Sequence, residues 1–318
     1  MAPFRFGIMG AARIAEKFCS AVKNIEGAEV AAVSSKDAGR AKAFAEKNGV
    51  ARYYGSYDEM LARSDIDAVY IATTHNFHYE NLLACISHGK PALCEKSMVM
   101  TAEQAKTVFS LAENHDVFIM EAMWSRFLPS IQKAKQWVSE GRIGNVNLAS
   151  AAIGHAAEYD PKGRMFSPEL GGGALYDLGV YAIELTSYLV GEPVLSVSSK
   201  LLFAETGVDK ADTITLVFDG CIASLQCSIS SRMGERACLY GSKGYIEIPD
   251  FHFGGECRLF DENGNQVEAY GEKPENGFTY QIEEVIRCVR SGKLESDVVP
   301  HRDTILCAEI FDRCLSNR

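Results

Sequence analysis

Positive charge is scarce in this chain: 32 Lys and Arg stand against 42 Asp and Glu, for a formal net charge of −10 and a pI near 5.3. That balance excludes a nucleic-acid partner, which needs a concentrated basic face to displace counterions. No run reaches the ~20 apolar residues of a membrane span. Arg5 and Arg13 flank the first apolar run instead of leading into it as a secretory signal requires, so a soluble, cytoplasmic protein is expected. Ten cysteines are present, but none are spaced C-x-x-C. His75 and His78 lie near no cysteine pair and no H-E-x-x-H run, which removes the zinc signatures. The cysteines sit in apolar segments and read as core thiols. Repeats, low-complexity tracts and flexible linkers are also missing.

With 318 residues, 47% hydrophobic and 23% charged, the chain has ordinary globular composition and more length than one domain usually holds. Phe4 to Ala15, FRFGIMGAARIA, is an apolar run that turns at Gly10 and leaves into a helical pattern. Laid on the dinucleotide fingerprint G-x-G-x-x-G/A, the matching positions are Gly10, Ala12 and Ala15. Gly10 supplies the tight turn, Ala12 lets the backbone approach a pyrophosphate, and Ala15 allows close packing of helix on strand. Amides from Gly10, Ala11, Ala12, Arg13 and Ile14 then face the phosphates. A plain strand-turn-helix is the alternative reading of this stretch.

The small-apolar run Ala28–Val33 reads as a buried parallel strand and ends at Ser34-Ser35-Lys36. Sheets that prefer NAD carry an acidic residue here for the ribose hydroxyls. Ser34, Ser35, Lys36 and, one helical turn on, Arg40 suit a 2′-phosphate instead, so NADP is favoured and NAD left open. Asp37 reads as a helix cap.

Strands then alternate with helices: a helix at 37–48, a strand at 52–54, a helix at 57–63, a strand at 68–72, a helix at 78–88 and a strand at 91–94. A helix follows from Thr101, with Thr101-x-x-Gln104 as a capping box, and a last strand at 117–120. The spacing predicts a doubly wound parallel sheet. Ligands bind such sheets at the carboxyl ends of the strands. Thr73, His75, His78, Glu95 and Lys96 fall there and complete the candidate cofactor contacts. Residues 1–121 are expected to form the dinucleotide-binding domain and residues 122–318 an α/β domain for substrate binding and oligomerisation. The second domain reads as a helix at 129–140, a strand at 146–153, a long helix at 173–190, seven strands between 197 and 270, and helices at 277–291 and 301–316. Asp219-Gly220, Gly241-Ser242-Lys243-Gly244 and Asn263-Gly264 mark hairpins of a mainly antiparallel, open-faced sheet.

Two stretches carry candidate chemistry. Glu95-Lys96 leaves a buried strand, where a lysine can stabilise negative charge developing on a substrate oxygen; a surface ion pair is the plainer reading. Asp177 and Tyr181, four apart after Gly171-Gly172-Gly173, share a helix face. An ammonium such as that of Lys96 favours the phenolate of a tyrosine and suits it to general acid/base work. A half-buried tyrosine with a carboxylate partner is the structural alternative.

Taken together, Gly10–Ala15, Glu95-Lys96, Glu121–Phe127 and Gly171–Tyr181 resemble the Gfo/Idh/MocA oxidoreductase family over essentially the whole chain, in particular its branch of dimeric dihydrodiol dehydrogenases and D-xylose dehydrogenases. The resemblance implies a Rossmann domain, an α/β domain whose sheet makes a homodimer, and hydride transfer with a sugar, polyol or diol. Lys96 matches the lysine of the family's Glu-Lys-Pro motif, and Asp177 and Tyr181 match its D-x-G-x-[Y/H] positions. Ser97 stands where the family has proline, and Thr74 where relatives often do. Trp124, Arg126 and Phe278 are candidate lining residues of the substrate pocket. A non-catalytic NAD(P)-binding regulator and an NAD-assisted glycosidase are the alternatives within the same fold.

Overall fold

Six short strands, the inner ones largely apolar because both faces of their sheet are covered, build the first of two units. The computed structural model describes residues 2–63 and 65–316. The first unit takes in the chain as far as Val99, then Glu103–Trp124 and Asn276–Thr304; the second holds Met100–Ala102, Ser125–Glu275 and the chain from Ile305. In order, the first runs β1 (Phe4–Met9), α1 (Arg13–Lys23), β2 (Ala28–Ser34), α2 (Ala38–Asn48), β3 (Arg52–Tyr54), α3 (Tyr57–Leu61), β4 (Ala68–Ile71), α4 (His75–Ser87), β5 (Ala92–Cys94), α5 (Ala102–Asn114) and β6 (Ile119–Glu121). The sheet order is β3-β2-β1-β4-β5-β6 and every pairing is parallel. This is the Rossmann order, with its crevice at the carboxyl ends of β1 and β4.

Helix α1 lies on this sheet because Ala15, Phe18, Cys19 and Val22 recur at helical spacing and are all buried. Phe18 stacks on Tyr70 of β4 with centroids 4.0 Å apart. Burying a side chain of that size contributes about 1.5–3 kcal/mol. Asp37 caps α2, accepting from Arg40 N at 3.0 Å, as its position predicts. Helix α4 begins three residues before the expected start, at His75.

The second unit starts with the 3-10 turn Trp124–Phe127, whose first residue still belongs to the first unit, and α6 (Pro129–Ser139), with Pro129 at a first-turn position where its missing N–H costs nothing. β7 (Val146–Gly154) precedes a π turn at Leu175–Gly179, which runs into α7 (Val180–Val190). Then come β8 (Val194–Phe203), β9 (Asp209–Phe218), β10 (Cys221–Ser228), β11 (Arg236–Gly241), β12 (Gly244–Pro249), β13 (Glu256–Asp261) and β14 (Gln266–Gly271). Helix α8 (Phe278–Arg290) returns to the first unit and packs on α1, and α9 (His301–Ser316) closes the described chain.

The eight strands are ordered β14-β13-β12-β11-β7-β10-β9-β8, antiparallel except for the pair β7 and β10. The three hairpins fall where the turn residues predict, with Gly220 and Gly264 at positive φ. Strand β10 alternates cleanly: Cys221, Ala223, Leu225 and Cys227 point inward and Ile222, Ser224 and Gln226 outward. The inner face is covered by α6 and α7. Leu148, Leu195, Leu202, Ile222 and Tyr240 are exposed. All ten cysteines are buried and none is in a disulfide among the described residues, as core thiols should be. Among the described residues no helix is long and apolar enough to cross a membrane, and no cluster of His, Cys, Asp or Glu could hold a metal ion.

Candidate active site

In the first unit, the chain leaves β1 through Gly10 at φ +103, a region open to glycine, and Gly10 N donates to Ser34 O at 2.9 Å. A Cβ on Gly10 would lie 2.9 Å from Ala72 O, so the turn nests against the end of β4 and only glycine fits. Ala12 N donates to Gly10 O, and α1 starts from an Ala12 N-cap that offers no side-chain acceptor. Ala15 N donates to Ala12 O at 3.0 Å, which leaves the first-turn amides of Arg13 and Ile14 to face an anion. Ser34 is buried and donates to Ile8 O at 3.1 Å, which pins β2 to β1. Beside it, Ser35 Oγ accepts from Arg40 Nε at 3.2 Å and Asp37 N at 3.3 Å. Lys36 Nζ rests 4.5 Å above the Phe77 ring of α4. A hydroxyl and two cations thus stand together at the end of β2, while the nearby acid, Asp37, is engaged as a helix cap. These residues fit a dinucleotide: the turn is closed to any Cβ, the helix start is uncapped and the strand end is cationic.

The loop after β5 is held from several sides. His78 is buried and brings Nδ1 to 2.8 Å from Ser97 O and Nε2 to 2.9 Å from Thr73 O, tying that loop to the one after β4. Burial, with a smaller contribution from the Lys96 charge, holds the His78 pKa below the usual histidine range. His75 Nε2 lies 3.2 Å from Lys96 O, and Asn81 Nδ2 donates to Thr73 Oγ1 at 3.0 Å. Glu95 is buried and accepts from Tyr70 OH at 2.5 Å; desolvation raises its pKa even against that bond and the adjacent Lys96. The Lys96–Ser97 peptide is cis. Met98 N donates to Glu121 Oε1 at 2.9 Å, and Thr304 Oγ1 donates to Glu121 Oε2 at 2.9 Å. Glu121 and His78 are thus the residues that shape the Lys96 loop. They act from 23 and 19 residues' distance along the chain, a separation no local pattern reports. In the same unit Trp124 and Phe278 bring their rings to 5.3 Å.

In the second unit, Gly173 has φ +124, and a Cβ there would come within 2.3 Å of Asp209 Oδ1. The long helix expected from Gly173 is instead a π turn at Leu175–Gly179 followed by α7. Asp177 lies in the π turn, 7% exposed, and accepts from Arg164 Nη1 at 3.0 Å. Tyr181 is buried in the first turn of α7, its ring 5.0 Å from that of His252. His252 is fixed in turn: Glu235 accepts from its backbone N–H and lies 2.6 Å from Nδ1, so Nδ1 carries the proton. Arg126 is fully buried, paired with Glu184 at 2.5 Å and set over the Tyr188 ring.

A Rossmann order whose first turn admits only glycine, in a chain whose second unit carries a buried carboxylate and phenol on a π turn and the helix after it, defines a dinucleotide-dependent oxidoreductase. Residues 4–123 match the oxidoreductase family with an NAD-binding Rossmann fold, and residues 131–247 match the GFO/IDH/MocA C-terminal domain. The chain belongs to the Gfo/Idh/MocA oxidoreductase family, and it is an enzyme that works with a nicotinamide dinucleotide. It is 33% identical to a trans-1,2-dihydrobenzene-1,2-diol dehydrogenase of Danio rerio, covering 97% of this chain and 95% of that one. The Mus musculus protein of the same name is 32% identical with the same coverage. Among solved structures, an aldose-aldose oxidoreductase from Caulobacter crescentus, complexed with glycerol, has the same fold (TM-score 0.88, 24% identity, 99% of this chain and 98% of that one). So does a 3-ketoreductase from Actinomadura kijaniata in complex with NADP and TDP-benzene (TM-score 0.88, 23% identity, 99% and 97%).

Proposed function

We propose that the enzyme catalyses reversible hydride transfer at a secondary alcohol or aldose carbon of a sugar, polyol or dihydrodiol, with NADP as the preferred dinucleotide. The observation that carries this reading is the position of Lys96, directly after β5 on the same carboxyl edge as the Gly10 turn. The bound dinucleotide supplies the hydride acceptor or donor. Tyr181 exchanges the proton of the substrate hydroxyl, as a buried phenol does when its protonation is matched to the task. The Lys96 ammonium holds the substrate oxygen and stabilises the negative charge that grows on it. Asp177, steadied by Arg164, orients the substrate through a neighbouring hydroxyl. Trp124 and Phe278 are assigned to the substrate pocket, whereas Arg126, fully buried and paired with Glu184, ties the Trp124–Phe127 turn to α7.

Gly10, Ala11, Ala12, Arg13 and Ile14 hold the pyrophosphate on the start of α1. Thr73 and His75 border the cofactor, His78 and Glu95 hold the loops around it from the buried side, and Ser35, Lys36 and Arg40 take the 2′-phosphate, Ser34 being buried with its hydroxyl donated to Ile8 O. The engagement of Asp37 Oδ1 as a helix cap supports NADP, because it turns the nearby acid toward the start of α2. The diol dehydrogenase relatives and the NADP complex of the 3-ketoreductase support the same choice of reaction and cofactor. The exposed apolar residues of the large sheet support a homodimer formed through it. Ten buried cysteines with no disulfide among the described residues suit a reducing cytoplasm.

The test is NADP reduction across pentoses, hexoses, inositols and aromatic dihydrodiols. Turnover with at least one of these classes is expected. A panel without turnover, on protein that binds NADP, contradicts the reading.

A further inference from the structure

In a regular strand Asp209 and Asp212, three apart, would point to opposite faces of the sheet. In β9 they do not. Leu202 pairs with Ala211 but Phe203 pairs with Asp209, so Lys210 is an extra residue and the strand bulges there. The bulge turns both aspartates to the buried side. Asp209 Oδ2 accepts from Leu175 N, the first residue of the π turn, at 2.6 Å, and its other oxygen lies against Gly173, where any Cβ would collide with it. Asp212 Oδ2 accepts from Cys227 Sγ at 3.3 Å, and Cys227 Sγ is the atom a Cβ on Gly179 would meet at 3.2 Å. Asp209 thus holds the start of Leu175–Gly179 directly and Asp212 meets its end through Cys227; this is the turn that carries Asp177 and leads into Tyr181.

We propose that Asp209 and Asp212 are a positioning pair for this turn, Asp209 as the acceptor that anchors its first amide and Asp212 as the protonated partner beside it. The inference rests on the roles read above for Asp177 and Tyr181. Two adjacent buried carboxyl groups cannot both ionise without strong repulsion. Burial, followed by the neighbouring Asp209, raises the Asp212 pKa to about 9. The thiols that face the pair add no charge to it: burial and the carboxyl groups push the Cys227 thiol up, and burial raises Cys314, which faces the pair from α9. Because the folded pKa of Asp212 lies above its unfolded value, its stabilising proton is fully held below the unfolded pKa and is lost as pH rises through the folded one. Both stability and the geometry of the turn should therefore weaken as pH climbs toward about 9.

The test measures thermal unfolding midpoints and kcat from about pH 6 to about pH 10 for the wild type, Asp212→Asn, Asp209→Ala, Asp209→Asn and Tyr181→Phe. Asp212→Asn imitates the protonated acid, so kcat at neutral pH stays within about threefold of wild type, and its midpoint gains on wild type as pH rises. Asp209→Ala leaves the Leu175 amide without its acceptor and lowers kcat by about tenfold or more, with cofactor Kd unchanged; Asp209→Asn, which still accepts, recovers most of that loss. An Asp212→Asn midpoint that keeps the wild-type slope, or an Asp209→Ala enzyme with wild-type kcat, overturns the proposal. The unfolding slope reads the pair whatever Tyr181 does. Full turnover in Tyr181→Phe defeats the assignment of the phenol, and loss of turnover there beside an unchanged Asp212→Asn slope defeats the pair alone.

Discussion

The guanidinium of Arg164 donates to Asp177 at 3.0 Å across a steep difference in exposure, the arginine being 56% exposed and the aspartate 7%. The carboxylate is therefore steadied from the solvent side by a group that itself has freedom to move. If Asp177 orients the substrate, Arg164→Ala should loosen it without touching the cofactor. The substrate KM should rise by about fivefold, the scale of a pair worth up to ~1 kcal/mol, while NADPH affinity stays as it was. Steady-state kinetics with both ligands varied separates the two.

Cofactor choice is read from Ser35, Lys36 and Arg40. Lys36 leans on Phe77 and Arg40 on Ser35, so each cation is already placed before a ligand arrives. Lys36→Ala should weaken NADPH binding by about tenfold, the loss of one charge-assisted contact, and leave NADH unchanged. Titrating both reduced cofactors against the variant checks this. Equal losses would remove the 2′-phosphate assignment.

The exposed face of the large sheet makes a prediction about assembly. Leu202 is 64% exposed and Ile222 47%, on β8 and β10. In a dimer that covers this face, Leu202→Asp with Ile222→Asp places unpaired charges in the interface and shifts the protein to monomer. Sedimentation velocity should show a dimer for the wild type and a monomer for the variant. A monomeric wild type contradicts the proposed assembly.

Much of the fold is written in local pattern, and the exceptions have identifiable causes. The Gly10 turn, the run Ala28–Ser34 and the Asp37 cap follow from periodicity and capping chemistry alone. Helix α4 starts at His75, where the expected start was His78, because Thr74 makes no capping bond and His75-Asn76-Phe77 has no apolar period to announce a helix. Strand β9 starts at Asp209, four residues ahead of Thr213, because two aspartates read as loop unless a buried partner takes them. The partner of Asp209, Leu175 N, lies 34 residues away, and that of Asp212, Cys227 Sγ, lies 15. The π turn was hidden for the same reason: Leu175–Gly179 has a helical composition, and its departure from a regular helix accompanies the long-range contacts of Asp209 and Cys227. At the candidate site, Lys96, Asp177 and Tyr181 were legible as motif residues. Of their supports, His78 reads in the sequence as a cofactor contact and Glu121 only as the start of the Glu121–Phe127 run, while Arg164 is not singled out, since a group that serves a distant loop leaves no mark of that role on its own neighbours in sequence.

The central claim is that Tyr181 exchanges the substrate proton, and one comparison tests it most directly: kcat and cofactor Kd for Tyr181→Phe against the wild type, on whichever diol, sugar or polyol the panel identifies. Phenylalanine keeps the ring that packs near His252 and removes only the hydroxyl. The account predicts a fall in kcat of about a hundredfold or more, the scale of general acid/base catalysis, with cofactor Kd unchanged. Turnover equal to the wild type would contradict it.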